Sequence, residues 1–303
     1  MNQNLYEKLV KALAPERVLT DEPMNRHTTF RIGGPADYFV MPASEEELKQ
    51  VLSVCREEEI PYYIIGNGSN LLVSDHGYRG VIIQIYKEMN EIRVEGNRIY
   101  AQAGALLSKI GMEALGAGLS GFEFAHGIPG TLGGACVMNA GAYGGEMKDV
   151  LLDVTVVDEN GNLKKIAKED LELGYRTSII AKKGYIVVGA TIELKEGDRE
   201  EIRGLMNELK EKRVSKQPLE FPSAGSTFKR PEGYFAGKLI QDSGLRGFRV
   251  GGAMVSEKHC GFVINAGDAT AADVNNLMKQ VSDIVQEKFG VPMEPEVKRL
   301  GEF

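Results

Sequence analysis

Two glycine-rich stretches offer bare main chain to a ligand: GNGSN at 66–70 and GIPGTLGG at 127–134. Without a Cβ in the way, successive main-chain N–H groups can close on an anion, as nests of backbone donors do around phosphate. Either loop alone also fits an ordinary turn, because Gly, Ser and Asn each favour turns for reasons of their own. The two together favour a cradle for a pyrophosphate. The wider run 121–147, GFEFAHGIPGTLGGACVMNAGAYGGEM, contains no Lys or Arg. So much glycine makes it a weak builder of helix or sheet, which raises the question of what the chain gains from it.

Other chemistry-bearing patterns fall away. GAGLSG at 116–121 satisfies the dinucleotide fingerprint GxGxxG, but it follows a helical pattern instead of a strand, and it reads as a helix end plus a turn. There is no P-loop, and the stretch around Ser226, SAGST, is not the GxSxG elbow of serine hydrolases. From spacing alone, Ser226 reads as a serine capping its own turn, Arg176 as a surface arginine resting its stem on a ring, and Glu296 as a solvated carboxylate. His27, His126 and His259 lack metal spacing, and no metal site is expected. Cys55, Cys136 and Cys260 are widely separated and odd in number, so we expect reduced, buried thiols.

The elements that position these loops follow from periodicity. Leu5, Leu9, Val10 and Leu13 recur at helical spacing, and Ser44 with Glu47 forms a capping-box pattern ahead of Leu48, Val51, Leu52 and Cys55. The sequence PYYIIGNGSNLLVSD predicts a strand and a glycine turn, and VIIQI at 81–85 a buried strand. EIRVEGNRIYAQAG and LLDVTVVDENGNLKKIA predict hairpins, the second across Asn160-Gly161, and YIVVGATIEL a further strand. A charged helix over about 198–216 marks a boundary, and a last helix over 270–289 ends at Gly290 with Pro292 beyond.

A chain of 303 residues with 43% hydrophobic content can bury more than one core. Its net charge of −7 argues against nucleic acid as a partner. No apolar run reaches the roughly 20 residues needed to span a bilayer, and the first residues lack a signal-peptide pattern. A cytoplasmic protein acting on small molecules, without a membrane partner and monomeric, is expected.

Several stretches together resemble one family: NRHTTFRIGGPADYFV, IIGNGSNLLVSD, the glycine run 121–147, YRTS, EFPSAGSTFKRP, FAGKLIQDSGLRGFRVGGAMVSEKHCGFVINAG and PEVKRLG. From about Asn25 to Gly301 the chain is similar to the UDP-N-acetylenolpyruvoylglucosamine reductases, flavoproteins that complete UDP-N-acetylmuramate for bacterial peptidoglycan. The resemblance implies an α+β fold. It comprises an FAD-binding part of the vanillyl-alcohol-oxidase (PCMH) type in two α+β subdomains, 1–85 (joined by 294–303) and 86–197, with a substrate-binding α+β domain over 198–293. It also answers the question of the glycines: Ile65, Gly66, Asn67, Gly68, Ser69, Asn70, Gly127, Ile128, Pro129, Gly130, Gly133, Gly134, Asn139 and Gly141 are the implied FAD contacts. Relatives that tether flavin covalently carry a histidine in the first glycine turn; this chain has none there, so FAD is expected to be non-covalent. The chain resembles the shorter of the family's two forms, since the stretch after Ser226 has no room for a long substrate-closing loop.

By the same resemblance, NADPH gives a hydride to flavin N5, and the enolpyruvyl ether then takes hydride at its vinyl carbon. Ser226 matches the proton donor, Arg176 the clamp on the substrate carboxylate, and Glu296 a carboxyl for proton delivery or charge relay. Tyr175, Lys216, Arg230 and Lys238 are the implied substrate contacts. A competing reading is an FAD-dependent sugar or alcohol oxidase of the same superfamily, and another is a nucleotide-sugar-binding regulator without flavin.

Overall fold

The computed structural model describes residues 2–303 and divides them into two compact units. The first takes residues up to 20, then 38–67 and 80–212; the second takes 21–37, 68–79 and 213–303. This redistributes the three expected parts. The segments 38–67 and 86–197 share one unit, a break falls at 212/213, and the C-terminal strand lies in one unit with 21–37, 68–79 and 213–293.

The first unit is built on an antiparallel five-stranded sheet in the order Leu163–Ala167, Leu151–Val157, Ile186–Glu193, Arg98–Gln102, Ile92–Glu95. Both expected hairpins are present. The first closes on Gly96 at φ +58°, with Glu95 opposite Arg98. The second turns through Gly161 at φ +86°, where the Asp158 carboxylate accepts the N–H groups of Asn160 and Asn162 and makes a longer loop than a two-residue turn. A second sheet orders Val18–Pro23, Pro35–Val40, Tyr78–Gln84 and Tyr62–Ile65, of which residues 18–20, 38–40, 80–84 and 62–65 belong to this unit. Tyr62–Ile65 runs parallel to the buried Val81–Gln84, so the turn at Gly66 leaves from a strand whose last residue, Ile65, is buried.

Helix Glu45–Glu57 starts where Ser44 Oγ accepts the Glu47 N–H at 3.2 Å. The Glu47 carboxylate reaches back to the Ala43 N–H and to Arg17 instead of completing the capping box, and Arg17 holds that carboxyl below its usual range. Helix Leu107–Ala117 ends at Gly118 with φ +70°, so GAGLSG is the expected helix end plus turn. The apolar faces of these elements meet in one core that includes Leu5, Leu48, Ile83, Ile110, Leu132 and Val154. Burying each side chain of this kind contributes about 1.5–3 kcal/mol.

In the second unit, Arg249–Val250, Ala253–Val255 and Val263–Asn265 form an antiparallel sheet. Helix Ala271–Phe289 buries Val274, Leu277, Val281 and Val285 in a core shared with Phe30, Ile32, Leu72 and Phe228. Thr270 and Asp273 make a full capping box at its start, and Gly290 closes it at φ +67°. Lys298–Leu300 pairs in parallel with Leu71–Val73, drawing the C-terminal segment to the strand that follows the first glycine turn.

Candidate active site

In the first unit the two glycine loops meet. A Cβ on Gly66 would lie 2.2 Å from Thr131 Oγ1, and the Asn67 amide donates to the Pro129 carbonyl at 2.9 Å. The main-chain N–H groups of Gly66, Asn67 and Gly127 donate to no acceptor among the described residues. Within 127–134 the picture differs from a continuous row of free donors. Ile128, Gly130, Leu132 and Gly133 spend their N–H groups on the carbonyls of Ala125, Ile128, Ala105 and Ala103. The reason is packing: Gly133 is buried, and a Cβ there would sit 3.1 Å from the Ala103 Cβ.

Gly134 is the opposite case. It is exposed in helix Leu132–Val137, and its missing Cβ would meet only Thr131 Oγ1, at 3.8 Å. Glycine in a helix costs about 0.5–1 kcal/mol relative to alanine, and nothing in the protein's own packing requires it here. A bare surface left open at such a cost fits a flat ligand lying close to the backbone. Free N–H groups at Gly66, Asn67 and Gly127 together with this open helix face suit the pyrophosphate and ring of FAD.

Asn139 and Gly141 follow that helix. Asn139, 1% exposed, commits its side chain inward: Nδ2 donates to Glu146 Oε2 at 2.9 Å and to the Gly174 carbonyl at 3.0 Å, and Oδ1 accepts the Lys148 N–H at 2.9 Å. Both Nδ2 hydrogens are therefore spent within the protein, and Oδ1 keeps one lone pair. Gly141 and Ala142 pair with Glu146 and Gly145 in a tight hairpin whose tip, Tyr143-Gly144, has positive φ.

Arg176 sits in a two-residue turn closed by Gly174 N–H to Thr177 carbonyl at 3.1 Å and the reverse bond at 3.4 Å. Its φ is +56°. That is the left-handed position where a tight turn ordinarily takes Gly or Asn. Glycine would relax the chain there, so the arginine is kept at a cost in backbone energy. The guanidinium lies 5.3 Å from the centre of the half-exposed Tyr175 ring, and Nη2 reaches the Gly141 carbonyl at 3.5 Å. Glu146 stays below its usual carboxylate range, mainly through its hydrogen bond with Lys148, with Asn139 and Arg176 adding to it.

Ser226 and Glu296 belong to the second unit, and the structure brings them together. Gly225 turns the chain at φ +75° just before exposed Ser226. Thr227, 1% exposed, is then pinned at three points: its N–H to the Gly261 carbonyl, its Oγ1 by the Val263 N–H, and its carbonyl by the Glu296 N–H, each at 2.8 Å. Phe228 bridges Pro295, so residues 227–229 run antiparallel to 294–296. Glu296 is 8% exposed and its carbonyl accepts the Asn70 amide at 3.3 Å. Gly68, beside Ser69 and Asn70, packs its α-carbon against the His27 carbonyl, where a Cβ would approach to 2.0 Å.

The expected substrate cations are less uniform. Lys216 is exposed on the last turn of helix Arg199–Lys216. Arg230 stacks its guanidinium 4.0 Å over the Phe235 ring. Lys238 is paired with Asp242 at 2.8 Å on an exposed helix face, so that charge already has a partner. Cys55, Cys136 and Cys260 are free and buried, with burial pushing Cys55 and Cys136 up to about 12. Among the described residues no group of His, Cys, Asp and Glu has the arrangement to hold a metal. Spacing missed Thr227 and the inward role of Asn139; a lone Asn before GAYGG, at a position needing φ +45°, was the available signal for the second.

Two family models match the chain: "UDP-N-acetylenolpyruvoylglucosamine reductase, C-terminal domain" over residues 217–300 and "FAD binding domain" over residues 36–167. The chain is 54% identical over 301 residues to the UDP-N-acetylenolpyruvoylglucosamine reductase of Clostridioides difficile (strain 630), covering 99% of both chains. It is also 54% identical over 297 residues to that of Alkaliphilus oremlandii (strain OhILAs), covering 98% of both. Among solved structures it is similar to UDP-N-acetylenolpyruvylglucosamine reductase from Thermus caldophilus, with a TM-score of 0.80 and 39% identity over 94% of this chain and 98% of that one. A likeness to a Phl p 4 variant, a glucose oxidase, has a TM-score of 0.51 at 16% identity over 65% of this chain and 45% of that one, and concerns the fold alone.

Proposed function

The chain belongs to the UDP-N-acetylenolpyruvoylglucosamine reductase family, and on that premise we propose that it uses NADPH to reduce the enolpyruvyl ether of UDP-N-acetylglucosamine-enolpyruvate to UDP-N-acetylmuramate. It is an FAD enzyme. When bound, FAD supplies a carrier that takes two electrons from the reduced nicotinamide and passes them on to the vinyl group. In this reading the main chain at Gly66, Asn67 and Gly127 and the open helix face at Gly134 hold it, without a covalent tether. The observation that carries the reading is 54% identity along 99% of the chain, which spans both glycine loops, the Arg176 turn and the Ser226 segment.

The protein's own residues then have separable tasks. Reduction at the vinyl terminus builds negative charge beside the substrate carboxylate, and Arg176 can fork two N–H groups onto that carboxylate, a planar match that lysine lacks. Ser226 gives a proton to the carbon bearing the ether oxygen. A serine hydroxyl is a weak acid, so placement matters more than its acidity, and the three bonds on Thr227 provide that placement. Glu296, held by its main chain to Thr227, relays charge or a proton near the same hydroxyl. The first unit is the FAD-carrying part and the second the substrate-binding part, in keeping with the two family models. No described helix is long and apolar enough to cross a membrane, and substrates this highly charged fit a cytoplasmic site.

Ser226→Ala separates the tasks. Anaerobic bleaching of the yellow enzyme by NADPH should proceed near its normal rate, while re-oxidation by the enolpyruvyl sugar nucleotide slows by on the order of 10²-fold or more. Equal slowing of both steps would remove Ser226 from the chemistry.

A further inference from the structure

Arg176 occupies a left-handed backbone conformation that is unfavourable for any residue with a bulky side chain, so something must hold its turn in place. The clasp is visible in the first unit. Asn139 Nδ2 donates at 3.0 Å to the Gly174 carbonyl, the same oxygen that closes the turn by accepting the Thr177 N–H. One residue past the turn, Ser178, 0% exposed, donates its Oγ to the Val137 carbonyl at 2.6 Å and accepts the Ala181 N–H. Val137 ends the helix that carries Gly133 and Gly134, and Asn139 follows two residues later. Two buried side chains thus tie the start and end of the Arg176 turn to the end of the glycine helix. The orientation of the Asn139 amide is itself fixed, since the charged Glu146 carboxylate takes Nδ2 and the Lys148 N–H takes Oδ1.

We propose that Asn139 and Ser178 are positioning residues for Arg176, which set its guanidinium for the substrate carboxylate relative to the glycine helix. This rests on the carboxylate-clamp reading of Arg176. Asn139 touches no ligand in this scheme; it acts through the carbonyl of Gly174.

The test uses flavin-loaded wild type, Asn139→Gly, Arg176→Ala and the double variant. Glycine is the right replacement because it adopts φ +45° without strain and removes only the side chain. Binding to the oxidised holoenzyme is followed by the flavin spectrum for two probes: the enolpyruvyl sugar nucleotide, and UDP-N-acetylglucosamine, which lacks the carboxylate. Asn139→Gly should weaken the first about tenfold and the second less than twofold, and it should add nothing in the Arg176→Ala background. Equal weakening of both probes, or additive losses in the double variant, would overturn the proposal in favour of a general structural role. If Arg176→Ala alone binds the enolpyruvyl nucleotide as wild type does, the clamp reading itself fails. Should Asn139→Gly not accumulate as holoenzyme, Ser178→Ala carries the same comparison, and loss of flavin from both variants counts against positioning.

Discussion

Gly134→Ala makes the sharpest test of what the glycine run is for. The residue is exposed on helix Leu132–Val137, and the added methyl would find only Thr131 Oγ1, 3.8 Å away. In flavin-free protein the substitution should therefore stabilise the first unit by about 0.5–1 kcal/mol, the usual gain of alanine over glycine in a helix. In the holoenzyme the methyl would enter the space assigned to the cofactor. Overpacking of a close contact costs about 1–3 kcal/mol, or roughly 5- to 150-fold in the FAD dissociation constant. The two effects have opposite signs, which no general loss of structure can imitate. Urea unfolding of the apoprotein and flavin titration would measure them separately. Gly133→Ala is the contrast, because its Cβ would press on Ala103 at 3.1 Å and should destabilise the apoprotein. If Gly134→Ala bound FAD as tightly as wild type while stabilising the apoprotein, the open helix face would have no connection with the cofactor.

Replacing Arg176 by Gly and by Ala should abolish turnover in both cases, yet leave the Gly variant more resistant to urea by about 1 kcal/mol, because glycine accepts φ +56° and alanine does not; equal stabilities would mean that the turn carries no strain. Burial holds His259 below its ordinary value of 6.5, with Arg246 and Lys216 pushing the same way, and its Nδ1 accepts the Gly261 N–H. The folded chain resists a proton that the unfolded chain takes up, so this contribution is complete above about pH 6.5 and is lost as pH falls below it. His259→Gln should flatten that part of the stability profile of the second unit, and an unchanged slope between pH 6.5 and 5 would rule His259 out as its source.

Much of the local structure was legible because its causes are local. Ser44, Thr270, Gly118 and Gly290 mark helix ends by side-chain capping or left-handed geometry, and the structure uses each of them so. The two glycine loops stood out for the same reason. What spacing could not supply was direction: Gly133 and Gly134 are adjacent letters, but one faces Ala103 and the other solvent. The Arg176 turn left no mark because YRTS has neither Gly nor Asn where the turn needs one, and its support comes from Asn139, 35 residues away from the Gly174 it holds. The division into units was hidden for a related reason. Leu71–Val73 belongs with 213–303 through its pairing with Lys298–Leu300, a contact between distant parts of the chain that no window of sequence displays.

Strain and its support are concentrated in one place in the first unit. Asn139, Tyr143, Glu172 and Arg176 all have positive φ without being glycine, and among the described residues of the unit only Glu59 shares this elsewhere. Asparagine tolerates this conformation, but at about 1–2 kcal/mol each Tyr143, Glu172 and Arg176 cost roughly 3–6 kcal/mol, comparable to the whole net stability of a small domain. Asn139 and Ser178 make five hydrogen bonds across the same short segments. At about 0.5–1.5 kcal/mol net apiece they return roughly 2.5–7.5 kcal/mol, enough to offset the strain where it arises. A loop held this way does not have to be ordered by substrate. In the proposed clamp role, Arg176 would meet a carboxylate without spending binding energy on fixing its own backbone, which would leave that energy for the charge that develops during reduction.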